Sequence, residues 1–355
     1  ENRVPTLSQM VFHEKLGNLE QKVRRIEGLS SSVADILNAD KEQTERAAYL
    51  CKADLMTGMV GEFAGLQGVM GHYYALEDGE TKDVARAIAE HYAPAGPDDL
   101  CPTSAISVAV SLADKLDTLV GFFGINERPT GSRDPYGLRR AALGIIRVIL
   151  ENKINIQLSW LVDKALQQYQ TEEIFGFDNP KKGLIEFFVD RLKVYLRTQG
   201  TRHDLVEAVA GSGDDNVLRL VQKSNSLADF LSTEDGGNLL SAYKRACNIV
   251  QIEEKRDDKK YGLRPVDEKK FKQKEETQLW EALVQLKESN PGTSDMSRFD
   301  EMLGDLANLR APVDYFFERV TVNTDENDIR ENRLRLLSEI ETCLNKVANF
   351  SCIDG

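Results

Sequence analysis

Three aspartates and a scatter of histidines are the residues of this chain whose types suit chemistry best. Asp114 and Asp117 stand three apart in AVSLADKLDTLVGFF, Asp54 lies upstream in CKADLM, and His13, His72 and His91 could join them. Carboxylates and imidazoles gathered in one place bind divalent metals, and such a metal activates water and polarises phosphate esters. Asp114 follows Val110 by four residues, about 40° around a helix. It therefore borders a buried face, where a carboxylate requires a cation, a metal or backbone donors. His91 follows Val84 and Ile88 at helical spacing, so it either lines the same cavity or is a core histidine. His13, in FHEKLG, reads as a structural hydrogen-bonder.

The run ADKLD at 113–117 is similar to the last metal-ligand helix of the HD phosphohydrolase superfamily. That superfamily carries a His-Asp pair on an upstream helix, and the matching position here is Ala53-Asp54. Alanine supplies no ligand, so a transition metal would be held weakly. Asp54, Asp114 and His91 thus read as vestiges of a metal site, with no metal expected.

Arginines form the second constellation. Arg133 precedes the expected N-cap Asp134, and Arg139, Arg140 and Arg147 follow on LRRAALGIIRVILE. Arg140, Gly144 and Arg147 fall on one helical stripe. A bare backbone between two guanidiniums would admit a phosphate chain or another helix. Phosphate binding and interdomain salt bridging both fit these residues.

The third constellation is LANLRAPVDYFFERVTVNTDENDIRENRLRLL. Tyr315, Phe316 and Phe317 lie near Arg310, Arg319, Asn323, Arg330, Asn332 and Arg333. Aromatics beside arginines and amides stack on unpaired bases and bond their edges. The Phe pair itself reads as core. There is no GxxxxGK[ST] phosphate cradle, and the Gly211-Ser212-Gly213 turn is too weak a signal to use.

The elements that position these residues are helices. Apolar periodicity predicts helices over 41–60, 103–123 and 325–347. Gly and Pro place loops at 92–102 and 121–137. Asp134-Pro135 predicts an N-cap and a helix starting near Pro135. Further breaks fall at 211–215 and 234–238. Pro312 is expected to stop or kink a helix ending near Arg310. The charged stretch 253–276 reads as a solvated helix pair with a turn near Gly262 and Pro265. The expected division is 1–134, 135–235 and 236–355.

Composition sets the outer limits. The 355 residues suit two or three domains, and 41% hydrophobic residues with only 7% aromatics suit helical packing. A net charge of −13 excludes bulk attraction to nucleic acid, so any such contact needs a local basic face. The five cysteines form no CxxC pair, which points to a reducing compartment without zinc or disulfides. No apolar run reaches membrane-span length. The start at Glu1 reads as a piece of a longer protein, whose targeting segment could have been removed.

Four stretches carry a resemblance to a known family. FHEKLG (12–17), KADLMTGMVGEFAGLQGVMGHYYAL (52–76), AVSLADKLDTLVGFFGINERPTGSRDPYGLRRAALG (109–144) and LRAPVDYFFERVTVNTDENDIRENRLRLL (309–337) resemble, in order, the C-terminal half of the bacterial-type glycyl-tRNA synthetase β subunit. The resemblance implies an all-α chain: a degenerate HD-like domain (1–134), a helical connecting segment (135–235) and an anticodon-binding bundle (236–355) like that of arginyl-tRNA synthetase. It implies tRNA binding within a glycine–tRNA ligase, with no catalytic residue in this segment. Glycine, ATP and Mg would belong to an α subunit or a fused α region. The expected partners are glycine tRNA and that α component, as α2β2 or a dimer of fused chains, with no membrane. The compartment would be the cytoplasm in a bacterium, or a plastid or mitochondrion for a fused organellar form. A residual metal phosphohydrolase and a non-catalytic docking scaffold are the alternatives.

Overall fold

The computed structural model describes residues 1–170, 178–200, 202–211, 214–288 and 296–354. Among them the chain is all-α, apart from a short hairpin pairing β1 (Val11–His13) with β2 (Gly17–Asn18). It divides into two compact units, Glu1–Tyr195 with Asp215–Leu218, and Leu196–Asp214 with Arg219–Gly355.

The first unit contains α1 (Leu19–Leu37), α2 (Lys41–Leu50), α3 (Gly58–Glu62), α4 (Val69–Glu77), α5 (Lys82–Glu90), α6 (Ala105–Gly124), α7 (Leu138–Glu151), α8 (Leu158–Tyr169) and most of α9 (Lys181–Thr198). Helix α6 is apolar on nearly every side and is buried along almost its whole length. A helix of that pattern belongs at the centre of a bundle, and α1, α2, α5, α7 and α8 pack around it. A capping box starts α1: Asn18 Oδ1 accepts from Gln21 N at 3.0 Å, and Gln21 Oε1 accepts from Asn18 N at 2.9 Å. The expected long helix over 41–60 is interrupted after Leu50. A single 3-10 turn, Ala53–Met56, follows, and Thr57 caps α3 by accepting from Val60 N at 3.3 Å. Asp54 therefore stands on that turn and not on an α-helix.

The helix expected near Pro135 begins at Leu138. The N-cap residue is Gly137 and not Asp134, although the Asp134 carboxylate still accepts from Leu138 N at 2.8 Å and Arg139 N at 2.9 Å. The chain makes one further turn before the helix, passing Gly137 at φ +65°. Ile145, Ile146 and Ile149 of α7 and Leu161 and Val162 of α8 are fully buried. These helices therefore pack into the first unit, with no separate connecting body formed from them.

The second unit contains α10 (His203–Ala210), most of α11 (Val217–Ser232), α12 (Glu234–Asp257), α13 (Lys274–Glu288), α14 (Met296–Ala307), α15 (Arg310–Arg319) and α16 (Asn327–Leu344). Helix α12 packs on α14, α15 and α16, and α13 packs on α15 and α16. Of the break expected at 211–215, Ser212 and Gly213 lie outside the described residues. The break expected at 234–238 is instead the start of α12, capped by Thr233. Gly236 is needed there because an added Cβ would come within 2.1 Å of the Phe230 carbonyl oxygen. Pro312 also acts in the opposite sense to expectation. It lies in the first turn of α15, where its missing N–H costs no helical bond, and the preceding helix already ends at Ala307. The stretch 253–276 is only partly solvated, since Glu253, Glu275 and Glu276 are buried.

Candidate functional site

The aspartates meet cations of their own chain. Lys52, just beyond α2, sets its ammonium 2.8 Å from Asp114 Oδ2 and 3.8 Å from the Tyr92 ring centroid. Lys22 of α1 lies 3.1 Å from Asp114 Oδ1, an ion pair without hydrogen-bond alignment, and 2.9 Å from Asp117 Oδ2. Arg25, one turn on, donates from Nε to Asp117 Oδ1 at 2.7 Å. All five side chains are buried. Burial alone would raise the Asp114 carboxyl, but the Lys52 and Lys22 ammoniums overcome it and hold it well below the usual carboxylate range. Asp117 is lowered likewise: burial opposes, and Lys22 and Arg25 prevail.

The remaining vestigial positions face other ways. Asp54 Oδ2 accepts from Gly68 N at 2.6 Å and Gly71 N at 3.0 Å, and so fixes the approach to α4. Burial raises its pKa against those two donors. His91 is fully buried, with Nδ1 2.7 Å from the Ile88 carbonyl oxygen. Burial, then the Lys52 charge, push its pKa well below the ordinary imidazole value. Among the described residues no three His, Cys, Asp or Glu side chains are arranged to hold a metal. The two ammoniums supply the positive charge that a metal would bring to Asp114. His13 contacts Phe122 and Tyr136 edge-on, and its Nδ1 accepts from Lys15 N at 3.2 Å.

The arginines of the second constellation separate into two groups. Arg147 is engaged within the unit, donating to the carbonyls of Gly96 at 3.0 Å, Pro97 at 2.9 Å and Asp99 at 2.7 Å, and pairing with Glu151. Gly144 is buried; an added Cβ would lie 2.9 Å from Lys115 Cε and 3.4 Å from the Pro94 carbonyl oxygen. The stripe through Arg140, Gly144 and Arg147 is therefore not an open phosphate track. Its middle admits Lys115, and its far end holds the 96–99 loop. Arg139 donates to the Gly131 carbonyl at 2.7 Å. Arg133 and Arg140 are exposed, and their side chains have no hydrogen-bond or ion-pair partner among the described residues. Arg133 lines a groove of about 250 Å³ with Arg128, Thr130 and Tyr136.

In the second unit several expected contacts point inward. Arg330 joins Glu253, Asp257 at 2.7 Å and Asn323 at 3.3 Å, while Asn323 also donates to Glu253 at 2.9 Å. Arg333 joins Glu276 at 2.9 Å and the Thr321 carbonyl at 2.8 Å. Asn332 is fully buried and exchanges two hydrogen bonds with the Asp267 backbone, at 2.8 and 3.0 Å. From α16, Arg330 thus ties to the end of α12, Asn332 to the loop that follows it, and Arg333 to the start of α13. Arg310 pairs with Glu234 at 2.7 Å and with Asp235. Arg319 is exposed, with Glu275 at 3.9 Å. Phe316 is core, as expected, whereas Phe317 is only half-buried and Tyr315 is 50% exposed.

Sequence reasoning named neither Lys22, Lys52 nor Arg128. The available signal was a lysine in an apolar register: Lys22, Ile26 and Leu29 share one stripe of α1.

A family model described as "Glycyl-tRNA synthetase beta subunit" matches residues 1–211. The chain belongs to the glycyl-tRNA synthetase β-subunit family. A second model, "DALR anticodon binding domain", matches residues 239–350, within the second unit. Relatives named "Glycine--tRNA ligase beta subunit" are 46% identical in Rhodospirillum centenum over the whole chain and 50% of the relative, and 44% in Phenylobacterium zucineum with the same coverage. One from Ruegeria sp. is also 44% identical over the whole chain. The chain spans about half the length of the curated relatives it matches. Among the described residues no helix is long and apolar enough to cross a membrane.

Proposed function

We propose that this chain is the tRNA-holding part of a glycine–tRNA ligase and carries none of its bond-making residues. One observation supports this above the others: the carboxylates of the HD-like site are neutralised by Lys52 and Lys22, while Arg133 and Arg140 are left facing solvent. Asp114 is thereby unsuited to metal hydrolysis, and the exposed arginines are suited to phosphates. The first unit would grip phosphates near Arg133 and Arg140, and the 236–355 segment would take the anticodon, with Arg319 at its surface. Glycine, ATP and Mg would bind the α component, as the resemblance to the β-subunit family implies. An α2β2 assembly in the bacterial cytoplasm fits the bacterial sources of the relatives.

The test is competition binding by the complete ligase, with glycine tRNA against a second tRNA of unlike anticodon. Preference for glycine tRNA that disappears on deletion of this segment supports the reading. Undiminished preference after deletion refutes it.

A further inference from the structure

Helices α3 and α4 of the first unit turn apolar residues outward. Met59, Phe63, Val69, Tyr73, Tyr74 and Leu76 are all exposed, Phe63 by 58% and Tyr73 by 60%. Between Leu55 and Leu76 the one charged side chain is Glu62, in a chain that is 29% charged. Val60 is the only buried residue of α3, and that helix packs mainly on the turns either side of it, Ala53–Met56 and Ala64–Leu66. So short a helix gains its stability from packing, and this one has little within its own chain.

The same face carries glycines that the chain itself does not require. Gly58, Gly61 and Gly65 have no left-handed φ, and a Cβ added to each would meet nothing within 4 Å. Two of them lie in α3, where glycine is a poor helix former. A bare backbone in open space serves something that approaches from outside. The face also has neighbours of its own kind. Val11 is 75% exposed, the turn Val4–Gln9 before it packs on Ala53–Met56, and Arg3 Nη1 donates to the Met56 carbonyl at 2.8 Å. Beyond Val11, His13 touches Tyr136, which lines the groove of Arg133.

These properties choose the partner. One carboxylate and no lysine or arginine offer nothing to a phosphate chain, so the face is not a tRNA surface. Clustered exposed apolar residues mark protein interaction sites. Charge depletion with Met, Tyr and Phe enrichment marks the core of a lasting interface. The family is that of a β subunit. On the function proposed above, tRNA held at Arg133 must reach an active site on the α component, and the apolar face begins beside that grip.

We propose that the α3–α4 face is where the α component docks, with Phe63 and Tyr73 as anchors and the backbone at Gly58, Gly61 and Gly65 in close approach. The assignment rests on the reading that a separate α component holds the active site. Aminoacylation of glycine tRNA by the complete ligase tests it, with the α component titrated against a fixed amount of the full-length β subunit. Gly61→Arg places a charge in open space on the face, and Phe63→Ser/Tyr73→Ser removes two exposed rings; neither disturbs a buried residue. Each should raise the α concentration for half-maximal charging about tenfold or more, and saturating α should restore the parent kcat. An unchanged α requirement in both overturns the assignment. So does a loss that saturating α does not restore, which would mean that the face is covered by another part of the β subunit or by a second copy of it. Charging by the unmodified β subunit with no α component present would instead overturn the underlying reading.

Discussion

Replacing Lys52 by Met probes the closed carboxylate site most sharply. The methionine keeps the apolar stem and removes the ammonium 2.8 Å from Asp114 Oδ2. Breaking a buried ion pair by removing one partner costs about 3–5 kcal/mol. Lys22 remains 3.1 Å from the other oxygen, which places the loss near the lower end, about 3 kcal/mol. For a unit of this size each kcal/mol moves the melting point by about 2–4 °C. Thermal unfolding at pH 7, followed by circular dichroism, should therefore show a fall of roughly 6–12 °C. Lys52→Met/Asp114→Leu removes the stranded carboxylate as well and should recover most of that fall, because an apolar pair of similar volume replaces a buried ion pair at little cost. A single variant melting within about 2 °C of the parent protein would refute the reasoning. So would a double variant no more stable than the single one.

Three further outcomes follow from the same geometry. Ala53→His restores the absent imidazole but leaves Lys52 and Lys22 on Asp114, so metal analysis of that variant should find no stoichiometric zinc or manganese; one bound ion per chain would refute the ammonium account. Gly144→Val should destabilise the first unit by about 1–3 kcal/mol through overpacking, since even a Cβ would lie 2.9 Å from Lys115 Cε; an unchanged urea midpoint would show that Lys115 yields freely. Asp114 and Asp117 titrate lower folded than unfolded, so their contribution is fully present above the unfolded value of about 3.9 and is lost as pH falls through the folded values. Urea midpoints at pH 6 and pH 3 should therefore differ more for the parent protein than for Asp117→Asn, and equal differences would count against the pairs.

The all-α class was legible because apolar periodicity needs only neighbours in sequence. The central α6 was marked by its own residues, whereas α7 starts three residues after the expected Pro135. Charged partners were not legible, since a guanidinium reads as solvated until its carboxylate is found. Arg330 meets Glu253 77 residues away, Arg333 meets Glu276 57 residues away, and Arg147 meets the Asp99 carbonyl 48 residues away. Each looked like a free cation in the sequence and proved to be a tie inside its unit. The metal-like aspartates show the reverse: their need for a cation was readable, but its sources were not, Lys22 standing in an apolar register of α1 and Lys52 on the turn beyond α2. Pro312 misled because a proline that ends one helix and a proline in the first turn of the next share the same sequence signature.

The central claim is that the surviving contacts to tRNA are the open arginines and not the engaged ones. The direct measurement is the affinity of the complete ligase for glycine tRNA as a function of salt. Arg133→Ala/Arg140→Ala should weaken binding and reduce the slope of log affinity against log salt by about one unit per contact. Arg147→Ala should leave that slope unchanged, because its guanidinium is spent on the 96–99 carbonyls and Glu151. A slope that drops for Arg147→Ala, and stays at the parent value for the double variant, would contradict the account.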